Sequence, residues 1–278
     1  MPLSEDIRTG LIEATRAAAR AEIMPRFRTL SEADIARKSN AQDLVTEADT
    51  GAERHIRAAV AKLLPHARIV GEEGVAANPS ELDAISQPGL TVVIDPVDGT
   101  WNFARGLALF GTLVAVIEDG KTIFGLLYDP VMDDWIEAGL GEGTFYVSGD
   151  AKRRLTPGPI PPMEELNGLH SAYGLSDDQW SLAAALQPRF GRVTSLRASV
   201  WDYRSLMTGA VQFCVNRYLN VWDHAAGALA LTEAGGHVAL LDGRTYTPEL
   251  RTGYLLAAAS KELWDEIADL YRPALLPG

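Results

Sequence analysis

Asp95 and Asp98 stand three residues apart in the stretch LTVVIDPVDGTWNF, Leu90 to Phe103. Leu90 to Ile94 is a short apolar run rich in β-branched residues, the pattern of a buried strand. Pro96 fixes φ and Gly99 permits unusual φ, so the chain turns sharply where the acids sit. Hard cations such as Mg²⁺ take oxygen ligands, commonly one or two carboxylates plus substrate phosphate. The N–H groups of Gly99 and Thr100 come next, and such groups suit an anion. One turn can thus hold a cation and the phosphate it activates. D-P-x-D-G is equally a good β-turn sequence, so this stretch alone leaves both readings open.

Other acids stand where they could join the pair. Gly71-Glu72-Glu73-Gly74 follows a short strand, Arg68 to Val70. Two acids between glycines make a solvated turn or a set of ligands, and a metal at Asp95 and Asp98 wants further carboxylates. Thr46 to Asp49 reads T-E-A-D, a helix-start capping pattern that explains Asp49 structurally. Facing a site from that helix start, Asp49 would orient a hydroxyl or a water. Asp223, in WDHAAG at 222–227, opens an Ala/Leu helix, where an N-cap worth ~1 kcal/mol is the default role. The five histidines, His55, His66, His170, His224 and His237, show no metal-ligand spacing and read as structural. No Cys, Ser or His arrangement argues for a covalent phosphoenzyme. Asp133 and Asp134 read as solvated turn acids.

The elements that must position these residues follow from periodicity. Residues 3–27 read as an amphipathic helix ending near Pro25. Residues 31–45 are polar and irregular, a flexible loop carrying Lys38 or, in the sharper reading, a lid over a site. A helix runs from the T-E-A-D cap to Leu64. Leu109–Ile117, Thr122–Tyr128, Trp135–Ala138 and Thr144–Val147 read as an antiparallel meander with hairpin turns. Residues 149–165 are rich in proline and charge and look like a join. Beyond it, strands (168–172, 192–196, 211–215, 237–241, 254–259) alternate with helices (177–186, 199–207, 222–234, 261–271). The chain divides into an α+β half at 1–150, with the antiparallel sheet and most of the acids, and an α/β half at 151–278 carrying Asp223, together one compact unit.

Composition sets bounds. The 278 residues are 47% hydrophobic and 22% charged, ordinary for a globular protein. Twenty-five basic against 37 acidic residues leave a net charge of −12, which argues against nucleic acid or an anionic membrane as partner. Phosphorylated substrates stay compatible if metal ions supply positive charge. Cys214 is the one cysteine and sits in an apolar run, a buried small hydrophobe in expectation. No apolar run reaches the ~18 residues of a membrane span, and the N-terminus lacks a signal-peptide core. The expectation is a soluble, cytoplasmic protein.

Four separated segments, LVTEAD at 44–49, GEE at 71–73, DPVDGTWNF at 95–103 and WDHAAG at 222–227, together resemble the inositol monophosphatase family of Mg²⁺-dependent, lithium-sensitive phosphatases. Their order and spacing and the strand GLLYDP at 125–130 also fit, and the likeness spans most of the chain. The resemblance implies a layered αβαβα sandwich of the inositol monophosphatase and fructose-1,6-bisphosphatase type, α+β and α/β in class, and a homodimer. It implies two to three Mg²⁺ ions, with Mn²⁺ as a substitute. Glu72, Asp95 and the Val97 carbonyl would bind the first. Asp95, Asp98 and Asp223 would bind the second, with Asp95 bridging. Glu72, with Glu73 nearby, would reach a third. Thr100 and Asp49 would take a proton from the attacking water, while Gly99 and Thr100 contact phosphate through their N–H groups. Asp98, Ser199, Asn216 and Asp223 are the positions implied for substrate, and Lys38 falls where the family's mobile loop approaches the site.

Departures from the family pattern concern the substrate. The usual Glu seven residues before the W-D aspartate is Asn216 here, followed by Arg217. A small G-[ST]-A segment is replaced by Arg197-Ala198-Ser199-Val200-Trp201-Asp202-Tyr203-Arg204, and Trp101 replaces a small residue. Arg197, Arg204 or Arg217 could read a second anionic group, or pair at the surface. The expected activity is Mg²⁺-dependent hydrolysis of a small phosphomonoester, inositol 1-phosphate first. The alternatives are a 3′(2′),5′-bisphosphate nucleotidase, a fructose-1,6-bisphosphatase, a histidinol-phosphatase, or a non-catalytic binding protein that kept the fold.

Overall fold

The computed structural model describes residues 3–31, 34–38, 44–171 and 173–276. Its centre is a seven-stranded sheet whose strands lie in chain order: β3 (Arg68–Gly71), β4 (Leu90–Asp98), β5 (Gly111–Glu118), β6 (Lys121–Asp129), β7 (Asp134–Gly139), β8 (Gly143–Ser148) and β9 (Ala151–Arg154). β3 and β4 pair parallel and every later neighbour is antiparallel. A second sheet has the order β11 (Arg192–Thr194), β10 (Asn167–His170), β12 (Phe213–Asn216), β14 (Leu255–Ala258), β13 (His237–Leu240). The first three run parallel, and β12–β14–β13 are antiparallel.

Alternation along the central strands assigns the layers, because successive side chains point to opposite faces. Val92 and Ile94 of β4, with Val114 and Val116 of β5, face the helices α1 (Glu5–Ala18) and α2 (Glu47–Leu63). Val93 of β4, with Leu113 and Ala115 of β5, faces α6 (Ser199–Thr208) and α7 (Val221–Glu233). These two helices are sandwiched between the sheets, and α5 (Asp177–Leu186) and α8 (Lys261–Leu275) cover the far side of the second sheet. The order is helices, sheet, helices, sheet, helices, the expected αβαβα sandwich. Gly227 lets the middle layer close: a Cβ there would stand 2.0 Å from the Tyr203 ring of α6. No helix among the described residues is long and apolar enough to cross a membrane.

Several local expectations need correction. The first helix does not run to 27: α1 gives way to a π turn at Ala19–Ile23 and a 3-10 turn at Met24–Arg26, where Pro25 has no N–H to continue the ladder. The stretch read as a loop at 31–45 contains a two-stranded antiparallel ribbon, β1 (Ile35–Arg37) with β2 (Leu44–Thr46). Residues 32–33 and 39–43 of that stretch lie outside the described residues. Glu72 and Glu73 do not make a turn but open a short helix, α3 (Glu72–Ala77). β9 lies inside the stretch read as a join, pairing its exposed residues with β8. Asp134 is no solvated turn acid: it is buried and ion-paired with the buried Arg204, which also donates to the Leu127 carbonyl at 3.1 Å. That pairing withdraws Arg204 from any role as an anion reader.

Candidate active site

Two acids an odd number of residues apart on a regular strand face opposite ways. β4 solves this with an irregularity. Its register with β5 shifts between Asp95 and Asp98, and Thr112 of β5 donates to the Pro96 carbonyl at 2.8 Å inside the bulge. Both acids therefore aim at one place, and both are buried. Gly99 then reverses the chain at φ 86° and caps the short helix α4 (Thr100–Ala104). A Cβ at Gly99 would lie 2.8 Å from the Leu109 carbonyl oxygen and 2.9 Å from Ala198 Cβ, so glycine is required by conformation and by space.

The third acid comes from α7. Asp223 is the third residue of that helix, with Asn220 in the cap position, so it is free of the capping role expected of it. The Asn220 amide donates to Asp223 Oδ2 at 3.0 Å. One carboxylate oxygen from each of Asp95, Asp98 and Asp223 lies within 4.8 Å of the others. Asp98 is also held from the middle layer, its Oδ2 accepting the backbone N–H of Val200 at the start of α6.

Electrostatics single out this cluster as one that would accept a cation. Burial, then the charges of Glu72, Asp98 and Asp223, push Asp95 well above the usual carboxylate range. Burial and Asp223 do the same to Asp98. Asp223 itself is pushed up to about 7 by burial and by Glu72. Asp95 Oδ1 is buried with no hydrogen-bond partner among the described residues. Such an oxygen is costly unless something positive binds it. All the donors are hard oxygens with no thiolate or imidazole, which fits Mg²⁺ or a similar cation.

Beside the cluster stand the two residues expected to relay a proton. Thr100 Oγ1 lies 2.9 Å from Asp49 Oδ1 and 2.9 Å from the Val97 carbonyl oxygen. Asp49 keeps its structural role as well. Its Oδ2 accepts from the Thr46 N–H at 2.9 Å and from the Thr46 hydroxyl at 2.6 Å, completing a capping box at the start of α2. Burial above all, and the nearby Glu72 charge, push Asp49 up to about 6.

Glu72 opens α3, and Lys38 Nζ bridges Glu72 at 2.8 Å and Glu73 at 2.6 Å. Burial and Glu72 push Glu73 up to about 7. Sequence reasoning missed what aims this helix. Glu53, buried on α2, accepts the N–H groups of Glu73 at 2.8 Å and Gly74 at 2.9 Å, and is itself held by Arg57 Nε at 2.8 Å. A signal existed: Glu53 lies one turn beyond Asp49, on the same buried stripe as Ala52, Ile56 and Val60.

A cavity of about 1030 Å³ opens over the acids. Lys38, Glu72, Val97, Gly99 and Thr100 line it on one side, and Arg197, Ser199, Asn216 and Arg217 on the other. Asp49 and Glu73 are not on its wall; Asp49 reaches it through Thr100. Arg197, at φ 60°, lays its guanidinium 3.9 Å from the centre of the Trp101 ring, which shares the cavity wall. His224 is held between the Tyr203 hydroxyl and the Tyr218 carbonyl, and both it and His170, read from the sequence as structural, lie on the cavity wall. Cys214 is buried.

A layered sandwich with a buried acid cluster and a Thr–Asp pair at its centre is the build of a metal-dependent phosphomonoester hydrolase. The chain belongs to the inositol monophosphatase family, whose model matches residues 4–274. A Thermotoga maritima protein named fructose-1,6-bisphosphatase/inositol-1-monophosphatase is 29% identical over 76% of this chain and 77% of its own length. Streptomyces coelicolor histidinol-phosphatase is 31% identical over 95% of each chain, and the Nus factor SuhB of Haemophilus influenzae 31% over 84% of each. In fold, the IMPase of Thermotoga maritima superposes with a TM-score of 0.80 at 25% identity, covering 95% of both chains.

Proposed function

We propose that the chain hydrolyses a small phosphomonoester, inositol 1-phosphate first, at a centre of two to three Mg²⁺ ions for which Mn²⁺ can substitute. The observation that carries this reading is the set of three carboxylates, two buried and one half-buried, within 4.8 Å beside the Thr100–Asp49 hydrogen bond. Glu72, Asp95 and the Val97 carbonyl would supply one group of ligands, and Asp95, Asp98 and Asp223 the other. When bound, the ions neutralise phosphate charge, make a neighbouring water acidic and stabilise the leaving oxygen. Water adds to phosphorus as the bond from phosphorus to the alcohol oxygen breaks. The water's proton passes to Thr100 Oγ1 as Thr100 gives its own to Asp49 Oδ1, and the departing alcohol oxygen takes a proton from solvent. The N–H groups of Gly99 and Thr100 hold the phosphate oxygens. Ser199 and Asn216 face the alcohol, with Arg197 and Arg217 available to a second anionic group.

The substrate ranking rests on family membership and on the names of relatives, which include phosphatases of inositol phosphate, fructose bisphosphate and histidinol phosphate. Net charge of −12 supports small phosphorylated molecules over nucleic acid or membranes as partners. We further read the protein as a cytoplasmic, Li⁺-sensitive homodimer whose halves, 1–150 and 151–278, share one site. The test is phosphate release from inositol 1-phosphate, fructose 1,6-bisphosphate, histidinol phosphate and adenosine 3′,5′-bisphosphate, with and without Mg²⁺ and then with Li⁺. Mg²⁺-dependent release ranked with inositol 1-phosphate first is the expected result. No release from any of them by folded, Mg²⁺-loaded protein would overturn the reading.

A further inference from the structure

The proposed reaction leaves one acid in the cavity wall without a task. Asp202, on α6, lines the cavity and is 8% exposed. Its Oδ1 is buried and has no hydrogen-bond partner among the described residues. Its Oδ2 meets the Cys214 thiol at 3.4 Å, a weak donor. The neighbouring Asn216 amide directs its Nδ2 to Cys214 Sγ at 3.2 Å. Asp202 is not one of the three acids whose oxygens converge. It stands on the α6 and β12 side of the cavity, together with Ser199 and Asn216.

A buried carboxylate oxygen left without a donor is costly. Burial pushes Asp202 up to about 7, against the Cys214 thiol and the Asn216 amide that favour its ionised form, so above that pH it carries charge; a donor arriving with the ligand then recovers the cost and discriminates between ligands that have it and those that lack it. The same logic separates Asp202 from Asp95, whose bare oxygen belongs to the convergent cluster.

We propose that Asp202 is a specificity-determining residue whose Oδ1 accepts a hydrogen bond from a hydroxyl or ammonium group on the carbon skeleton of the leaving alcohol. This rests on the phosphatase reading of the site and deepens it. The substrate is then the phosphate of a polyol or an amino alcohol, and a plain alcohol's phosphate is disfavoured.

The experiment compares Mg²⁺-loaded full-length wild type with D202N on three esters. Inositol 1-phosphate offers hydroxyls, O-phosphoethanolamine offers an ammonium, and p-nitrophenyl phosphate offers no donor. D202N should lower kcat/KM on the better donor-bearing ester by about 10- to 100-fold, the range of a charged hydrogen bond. That loss should exceed the loss on p-nitrophenyl phosphate at least tenfold and fall mainly on KM, as for a contact shared by ground and transition states. A loss confined to the polyol ester identifies a hydroxyl donor, and one confined to the amino ester an ammonium. Equal losses on all three, or none, overturn the inference. D202S repeats the comparison if D202N does not fold. Wild type alone gives a second readout: inositol 1-phosphate should exceed cyclohexyl phosphate in kcat/KM tenfold or more, and a ratio near one contradicts the contact. Should folded wild type hydrolyse none of these esters, the phosphatase reading falls and this inference with it. Should wild type turn over while D202N matches it, the inference alone falls.

Discussion

Asp49→Asn separates chemistry from stability more sharply than any other single change at this site. In the metal-free protein the buried Asp49 carboxyl is pushed up to about 6, from an ordinary value near 4. The folded chain therefore binds a proton there more tightly than the unfolded chain does. Its stabilising contribution is complete below pH 4 and is lost as pH rises through 6. About two pH units at 1.36 kcal/mol each make ionised Asp49 cost on the order of 3 kcal/mol at pH 8, relative to a neutral group of the same shape. Asparagine is such a group. Its oxygen can still accept from Thr46, and its Nδ2 can donate to Thr100 Oγ1, which then gives its proton to the Val97 carbonyl. What asparagine cannot do is receive the proton that Thr100 must pass on. Losing a general base costs about 10²–10⁴ in rate. The expectation is thus a kcat reduced by that factor, with Mg²⁺ saturating, and a metal-free protein at pH 8 at least as stable as wild type. Phosphate release and urea melts in EDTA measure the two. Turnover within tenfold of wild type would refute the relay, and a variant destabilised by more than about 2 kcal/mol would refute the electrostatic accounting.

Three further outcomes follow from the same geometry. Because Asp223 is pushed up to about 7 and Asp95 and Asp98 lie high as well, Mg²⁺ must displace protons; calorimetry at pH 6.5 in buffers of different ionisation heat should show net proton release, affinity should fall from pH 8 to 6, and metal removal should speed amide exchange at 71–74 and 95–103. Pure binding with no proton release would contradict the carboxylate assignment. Asp134→Asn leaves the Arg204 guanidinium buried without its counter-charge and should cost about 3–5 kcal/mol in a urea melt, most of it recovered in the Asp134→Asn, Arg204→Met double variant. Gly99→Ala, forced to φ 86° and against the Leu109 carbonyl, should destabilise by about 1–3 kcal/mol and displace Thr100 enough to lower kcat tenfold or more, whereas unchanged turnover would show that the turn tolerates a Cβ.

What could be read before the fold was known depended on how local the signal was. The meander announced itself through β-branched runs and tight turns. α5 runs from Asp177 to Leu186, the bounds read from the sequence. Asp49 was legible as a cap by its spacing from Thr46, and the family motif also placed it beside Thr100, where the structure has it. The bulge that turns Asp95 and Asp98 to one side left no trace beyond Pro96 and Gly99, because register belongs to the pairing of two strands. Arg204 with Asp134, and Glu53 with Glu73, were illegible for the same reason. Each pair joins positions far apart in the chain, and a buried acid has the same letter as a solvated one. Asp202 was hidden by its neighbourhood: among Trp201, Tyr203 and Arg204 it read as one polar residue in a helix.

The order of strands in the central sheet bears on how the protein is made. From β4 to β9 each strand pairs with the one that follows it, so this sheet can assemble by successive hairpins as the chain leaves the ribosome. Asp95 and Asp98 are then in place well before α7 has been synthesised. Docking α7 brings Asp223 against two other carboxyl groups, a step the three acids oppose unless they take up protons. The scaffold can therefore mature ahead of the acid cluster it carries, which is complete only once α7 has docked.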